Sequence, residues 1–177
     1  MFITYTIKCQ IKFDIDSSTL VGKDKNVFSQ RQIFFDKQNN RYLFGCFKGQ
    51  LNIDTFTIET SLQVTNSPSA DAGGVFIAKY NTNNEITSLQ KIAEGDSLYN
   101  AAASIDNMKS EYFSISYAGK LYFGGDSTLS AGDKDVIVIV YDSLQQTRHV
   151  TKIGAINGEQ IVQSGVSIDE DYNYYVS

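Results

Sequence analysis

The chain repeats itself, and this constrains its fold more than any other feature of the sequence. The stretch Phe35-Asp36-Lys37-Gln38-Asn39-Asn40-Arg41-Tyr42-Leu43 aligns without gaps on Ile105-Asp106-Asn107-Met108-Lys109-Ser110-Glu111-Tyr112-Phe113, 70 residues later. The register continues: Phe47 falls on Tyr117, Gly49 on Gly119 and Leu51 on Leu121. A third copy starts at Ile168-Asp169-Glu170-Asp171 and runs to Tyr174-Tyr175-Val176-Ser177, 63 residues after the second. A second motif repeats beside the first. Val75-Phe76-Ile77-Ala78-Lys79-Tyr80 maps onto Val136-Ile137-Val138-Ile139-Val140-Tyr141, 61 residues later.

The repeated segments are β-branched and aromatic, as strands are. Tyr42-Leu43-Phe44-Gly45-Cys46-Phe47 and Tyr112-Phe113-Ser114-Ile115-Ser116-Tyr117 belong to the same class. Turn clusters such as Asn81-Thr82-Asn83-Asn84 and Gly124-Gly125-Asp126 separate them. No window of 11 or more residues keeps helical apolar spacing. The richest helix-compatible stretch, 97–106 around Ala101-Ala102-Ala103, ends in a strand-like Ser104-Ile105. The expectation is an all-β fold.

One unit holds four strands in fixed order: a short strand ending in Ile/Phe-Asp, an aromatic strand, the VFIAKY or VIVIVY strand, and an outer strand at 85–92 or 147–153. Four antiparallel strands per repeat is the propeller-blade pattern. The apolar run 136–140 suits a strand covered on both faces. Thr147-Arg148-His149-Val150-Thr151-Lys152 suits an exposed one, and Ala101-Ala102-Ala103-Ser104 and Ser164-Gly165-Val166-Ser167 a crowded inner one. The loop at 54–74 contains the chain's one proline, Pro68, and is expected to be a surface excursion. The expected organisation is the end of a preceding blade over 1–20, blades over 27–95 and 96–155, and the start of another over 156–177. Residues 3–9 and 10–15 supply the two strands of the first part. This adds up to three blade equivalents, fewer than a closed propeller needs. A partial or open propeller follows, completed by further blades or by another chain. A β-sandwich of duplicated hairpins is the other architecture that fits.

Composition narrows the function. Lys+Arg 15 against Asp+Glu 20 leaves a net charge of −5, which argues against nucleic-acid binding through clustered cations. No run approaches the length of a membrane-spanning helix. The opening residues lack the basic start and unbroken apolar run of a secretory signal. Cys9 and Cys46 both lie in strand-like segments and read as buried thiols, although a bridge between them remains open.

Candidate sites each have a functional and a structural interpretation. Loop carboxylates Asp71, Asp126, Asp133 and Asp135 offer the oxygen ligands calcium takes, and Asp133-x-Asp135 is the most suggestive spacing. Asp also builds turns on its own. Asp36, Asp106 and Asp169 recur at one place in each copy, which argues for capping the turn rather than for catalysis. His149, the chain's single histidine, stands beside Arg148 on an outer strand without an evident triad. Tyr172, Tyr174 and Tyr175 are expected to alternate between core and surface. No phosphate-binding Gly-rich loop is present.

The repeat resembles the SBBP-type β-propeller repeat family. Ser104-Ile105-Asp106…Tyr112-Phe113-Ser114 is similar to that family's first segment. Asp71-Ala72-Gly73-Gly74-Val75-Phe76-Ile77-Ala78-Lys79-Tyr80 is similar to its second, and Asp133-Lys134-Asp135-Val136-Ile137-Val138-Ile139-Val140-Tyr141-Asp142 is a weaker copy. The first turn has Asn39-Asn40 and Lys109-Ser110 where the family has Gly-Asn, and the family's Trp is absent. The resemblance implies a repeat scaffold, extracellular or at a cell surface, with no catalytic residues to carry over. The expected function is therefore a non-enzymatic scaffold for protein or glycan contacts. The alternative is a glycan-active hydrolase or lyase working at a channel mouth.

Overall fold

The computed structural model describes residues 28–61, 72–154 and 165–177. Among these there is no helix, and the chain is all-β. The strands are β1 (Phe28–Phe35), β2 (Arg41–Phe47), β3 (Gln50–Ile53), β4 (Phe56–Glu59), β5 (Gly73–Tyr80), β6 (Ile86–Ile105), β7 (Glu111–Phe123), β8 (Asp126–Leu129), β9 (Asp135–Tyr141), β10 (Thr147–Ile153), β11 (Val166–Ile168) and β12 (Tyr174–Val176). One antiparallel sheet runs β1-β2-β5-β6-β7-β9-β10, with β8 paired to β7. It curls into a half-barrel. The hairpins β3–β4 and β11–β12 form separate two-stranded sheets.

β6 is what joins the sheet. The outer strand expected at 85–92 and the inner strand expected around Ala101–Ser104 are one continuous 20-residue strand. Its first part pairs with β5 and its second with β7. Register shifts between Gly95 and Ser97 and between Leu98 and Asn100 bend it on the way. The helix-compatible alanines lie in this strand: the side chains of Ala101 and Ala103 enter one core and Ala102 another. Gln32 seals the inner edge, its Oε1 accepting the Ala103 N–H at 3.0 Å.

Three clusters follow from strand alternation. The main core lies inside the curl, where Tyr42, Phe44, Val75 and Ile77 meet Phe113, Ile115, Ile137 and Ile139. The Phe44 and Phe113 rings are 5.8 Å apart, and burying each contributes about 2–3 kcal/mol. On the outer face of β2 and β5, Leu43, Phe76 and Ala78 pack under the β3–β4 hairpin. On the far face of β7 and β9, Tyr112, Val138 and Val140 pack under the β11–β12 hairpin.

These clusters obey the repeat. Leu43, Phe76 and Ala78 correspond to Phe113, Ile137 and Ile139; Tyr42 and Ile77 correspond to Tyr112 and Val138. Each copy therefore presents the same face forward and the same face back. The back of the first meets the front of the second, and the back of the second meets the β11–β12 hairpin. The segment 54–74 carries β4, whose hairpin with β3 corresponds to the extended end of β7 with β8. Pro68 lies outside the described residues.

Candidate functional site

The repeated aspartate builds a turn. Asp36 Oδ1 accepts the N–H groups of Gln38 and Asn40, both at 2.9 Å, and its Oδ2 accepts the Tyr42 hydroxyl at 3.2 Å. Asp106 does the same with Met108, Ser110 and Tyr112. Asp169 does it with Asp171, Asn173 and Tyr175. The backbone closes identically each time, and Asn39, Lys109 and Tyr172 take a left-handed φ of 61, 66 and 65 degrees. The structural role expected of these carboxylates is the one they have. Asn81 and Asp142 build the same turn without the tyrosine. Asn81 falls in the turn cluster expected at Asn81-Thr82-Asn83-Asn84.

Burial pushes the Asp36 carboxyl up. The hydrogen bonds from Asn40, Gln38 and Tyr42 outweigh it and hold the group below the usual carboxylate range. The Tyr42 hydroxyl moves the opposite way, raised by burial and then by the Asp36 and Glu111 charges.

Asp135 and Asp133, the expected calcium pair, have different surroundings. Asp133 is exposed. Asp135 is fully buried: its Oδ2 lies 3.1 Å from Lys152 Nζ and accepts the Ala131 N–H at 2.7 Å, while its Oδ1 has no partner. Lys152 also donates to the Leu129 carbonyl. This polar lock ties the end of β8 down onto β9 and β10. Among the described residues, no group of three or more His, Cys, Asp or Glu is placed to hold a metal ion. Asp126 begins β8, and Asp71 lies outside the described residues.

The first copy holds an equivalent lock that the sequence did not reveal. Lys91 Nζ donates to the Glu59 carbonyl at 2.9 Å and pairs with Glu94 Oε2 at 2.9 Å, and that oxygen accepts the Ser61 N–H at 2.7 Å. Lys91 and Lys152 are repeat equivalents, but Glu94 and Asp135 are not. Finding the second lock requires the β5–β6 register, in which Gly74 faces Glu94.

His149 is exposed, as expected, yet engaged. Its Nε2 is 2.7 Å from Thr151 Oγ1, which is 2.7 Å from the Tyr174 hydroxyl. Among the described residues no carboxylate is hydrogen-bonded to the ring, so they form no triad. The tyrosines alternate: Tyr174 packs against Tyr112, while Tyr172 and Tyr175 are exposed. Cys46 is half-buried against the main core, and Cys9 lies outside the described residues.

Glu111 is a further buried titratable group the sequence did not flag. Burial raises its carboxyl, with Gln145 and Lys79 opposing. It takes the place Arg41 holds in the first copy. No helix of the described residues is long and apolar enough to cross a membrane. Set beside protein-family models, curated proteins and solved structures, the chain matches none of them.

Proposed function

We propose that this chain is a non-enzymatic repeat scaffold: an open arc of four-stranded, propeller-type units of the SBBP kind that mediates contacts with proteins or glycans. The observation that carries this is the same-sense stacking. β1-β2-β5 with the first part of β6 makes one four-stranded meander, and the second part of β6 with β7-β9-β10 makes another. The back of the first packs on the front of the second, and the back of the second on the β11–β12 hairpin. Head-to-tail stacking of this kind leaves the ends of the arc unlike each other and able to take further units. The conserved-geometry aspartates are occupied by turn hydrogen bonds, and His149 lacks an orienting acid, so the described residues offer little to the glycan-hydrolase alternative.

The test is light scattering of the purified chain at two concentrations. Discrete oligomers, or a mass that grows with concentration, support open unit faces. A mass equal to that of one chain at both concentrations overturns them.

A further inference from the structure

Among the described residues, β12 pairs with β11 alone. Its counterparts β2 and β7 each carry another strand on the opposite side, β5 and β9. The hydrogen-bond alternation identifies the open groups. Gly165 and Ser177 exchange both backbone bonds, at 3.0 and 3.3 Å. Antiparallel alternation then turns the N–H and C=O groups of Tyr174 and Val176 away from β11. Their counterparts Arg41 and Leu43 face Tyr80 and Ala78 of β5, and Glu111 and Phe113 face Tyr141 and Ile139 of β9.

Side chains agree. Tyr42 and Tyr112 are 1% and 5% exposed, whereas their counterpart Tyr175 is 56% exposed although its hydroxyl makes the same bond to aspartate. The strand that further neighbours would cover is bare as well. Leu89 and Ile92 of β6 are 8% and 3% exposed, while their counterparts Val150 and Ile153 on β10 are 37% and 36% exposed.

We infer that the open edge of β12 is a strand-addition site that takes an extended, continuously apolar strand of another polypeptide, antiparallel to β12 and of the Val75–Tyr80 type. The occupant's chemistry follows from the two filled counterparts. Both β5 and β9 are apolar over consecutive positions and end in tyrosine. Main-chain bonds supply affinity and the alternating side chains specificity. Charge selects between the two types. Lys79 lies opposite Tyr42, its Nζ 5.4 Å from the ring centre. The equivalent position on β12 is Tyr175, beside the acidic turn Asp169-Glu170-Asp171. A lysine just before the last residue of the incoming strand matches that turn, as the VFIAKY strand has and VIVIVY does not. The inference rests on the repeat-scaffold reading.

The test titrates the full chain into a fluorescent synthetic peptide, Gly-Val-Phe-Ile-Ala-Lys-Tyr (residues 74–80) with two added lysines, and follows anisotropy. Saturable one-to-one binding is expected. Val176→Pro removes an outward N–H and leaves the β11 pairing untouched, so binding should weaken about tenfold. A peptide with proline in place of its central isoleucine should lose binding to the unaltered protein, which keeps the test independent of folding. Absence of saturable binding, or equal binding by Val176→Pro, overturns the site. A dimer that the peptide dissociates makes a second copy the occupant and overturns the separate partner. Concentration-dependent association without peptide binding overturns the edge and leaves the scaffold, whereas a non-binding monomer overturns both.

Discussion

The two copies solve one problem in two ways. Each must fasten an inserted hairpin end to the sheet, and each uses a lysine that bonds the hairpin's last carbonyl and a carboxylate that takes the N–H two residues further on. In the first copy the carboxylate is Glu94 on β6, and the residue facing it is Gly74 on β5. In the second the carboxylate is Asp135 on β9, and the residue that follows β10 beside it is Gly154. The acid and the glycine have exchanged strands. Space beside both glycines is short, on different neighbours: a Cβ at Gly74 would lie 2.6 Å from the Phe47 ring, and one at Gly154 would lie 3.1 Å from both Asp135 oxygens. What the fold conserves is the position of the charge pair in space rather than the residue that supplies it. The locks differ in depth. The Asp135 side chain is wholly enclosed, while the Glu94 side chain is 10% exposed. Removing half of an enclosed ion pair strands the other charge.

That difference orders the expected effects. Asp135→Ala should cost about 3 kcal/mol and Glu94→Ala about 1–2 kcal/mol, read as shifts of the urea midpoint at constant slope. Equal losses would mean that the two locks are energetically alike and that burial is not what distinguishes them. Gly74→Ala drives a methyl into the Phe47 ring and should cost about 2 kcal/mol. Gly154→Ala presses on a carboxylate that Lys152 can follow and should cost about 1 kcal/mol in the same measurement. The reverse order would show that the first copy yields more readily than the second.

The turns sharpen the comparison on a smaller scale. Asp106→Ala removes three hydrogen bonds, two of them buried, and should cost about 2 kcal/mol. Asp142→Ala removes two exposed ones and should cost about 0.5 kcal/mol. The turns also set an acid limit. The Asp36 and Asp169 carboxyls are held below their ordinary value. The folded state therefore binds fewer protons than the unfolded one in that window, and the stabilisation is complete above about pH 4 and lost below it. Thermal melts between pH 5 and 2 should show this fall, and it should be smaller in Asp36→Asn.

The last expected effect has the opposite sign. Glu111 is raised by burial, so its ionisation opposes folding, and stability falls as pH rises between its unfolded and folded values. Glu111→Gln removes that cost and should raise the melting temperature at pH 7. A melting temperature that does not rise would show that Lys79 and Gln145 fully offset the burial.

The sequence by itself determined the strands, the turns between them and the capping aspartates. All three depend on local chemistry: β-branched runs, Asx turns and a left-handed residue three places after each aspartate. Asp36, Asp106 and Asp169 could be assigned from spacing because their partners lie within six residues. Only the tertiary structure decided that the outer strand of one copy and the inner strand of the next are the single strand β6, because a bend with two register shifts leaves no break in a strand-like sequence. It also decided that Asp135 is enclosed by Lys152 and Ala131 while Asp133 is exposed, and that Glu94 stands in for Asp135 in the first copy. These pairings join groups on different strands, so their existence depends on register and curl. A sequence records neither directly, since a shift of one residue between strands would turn every such side chain to the opposite face.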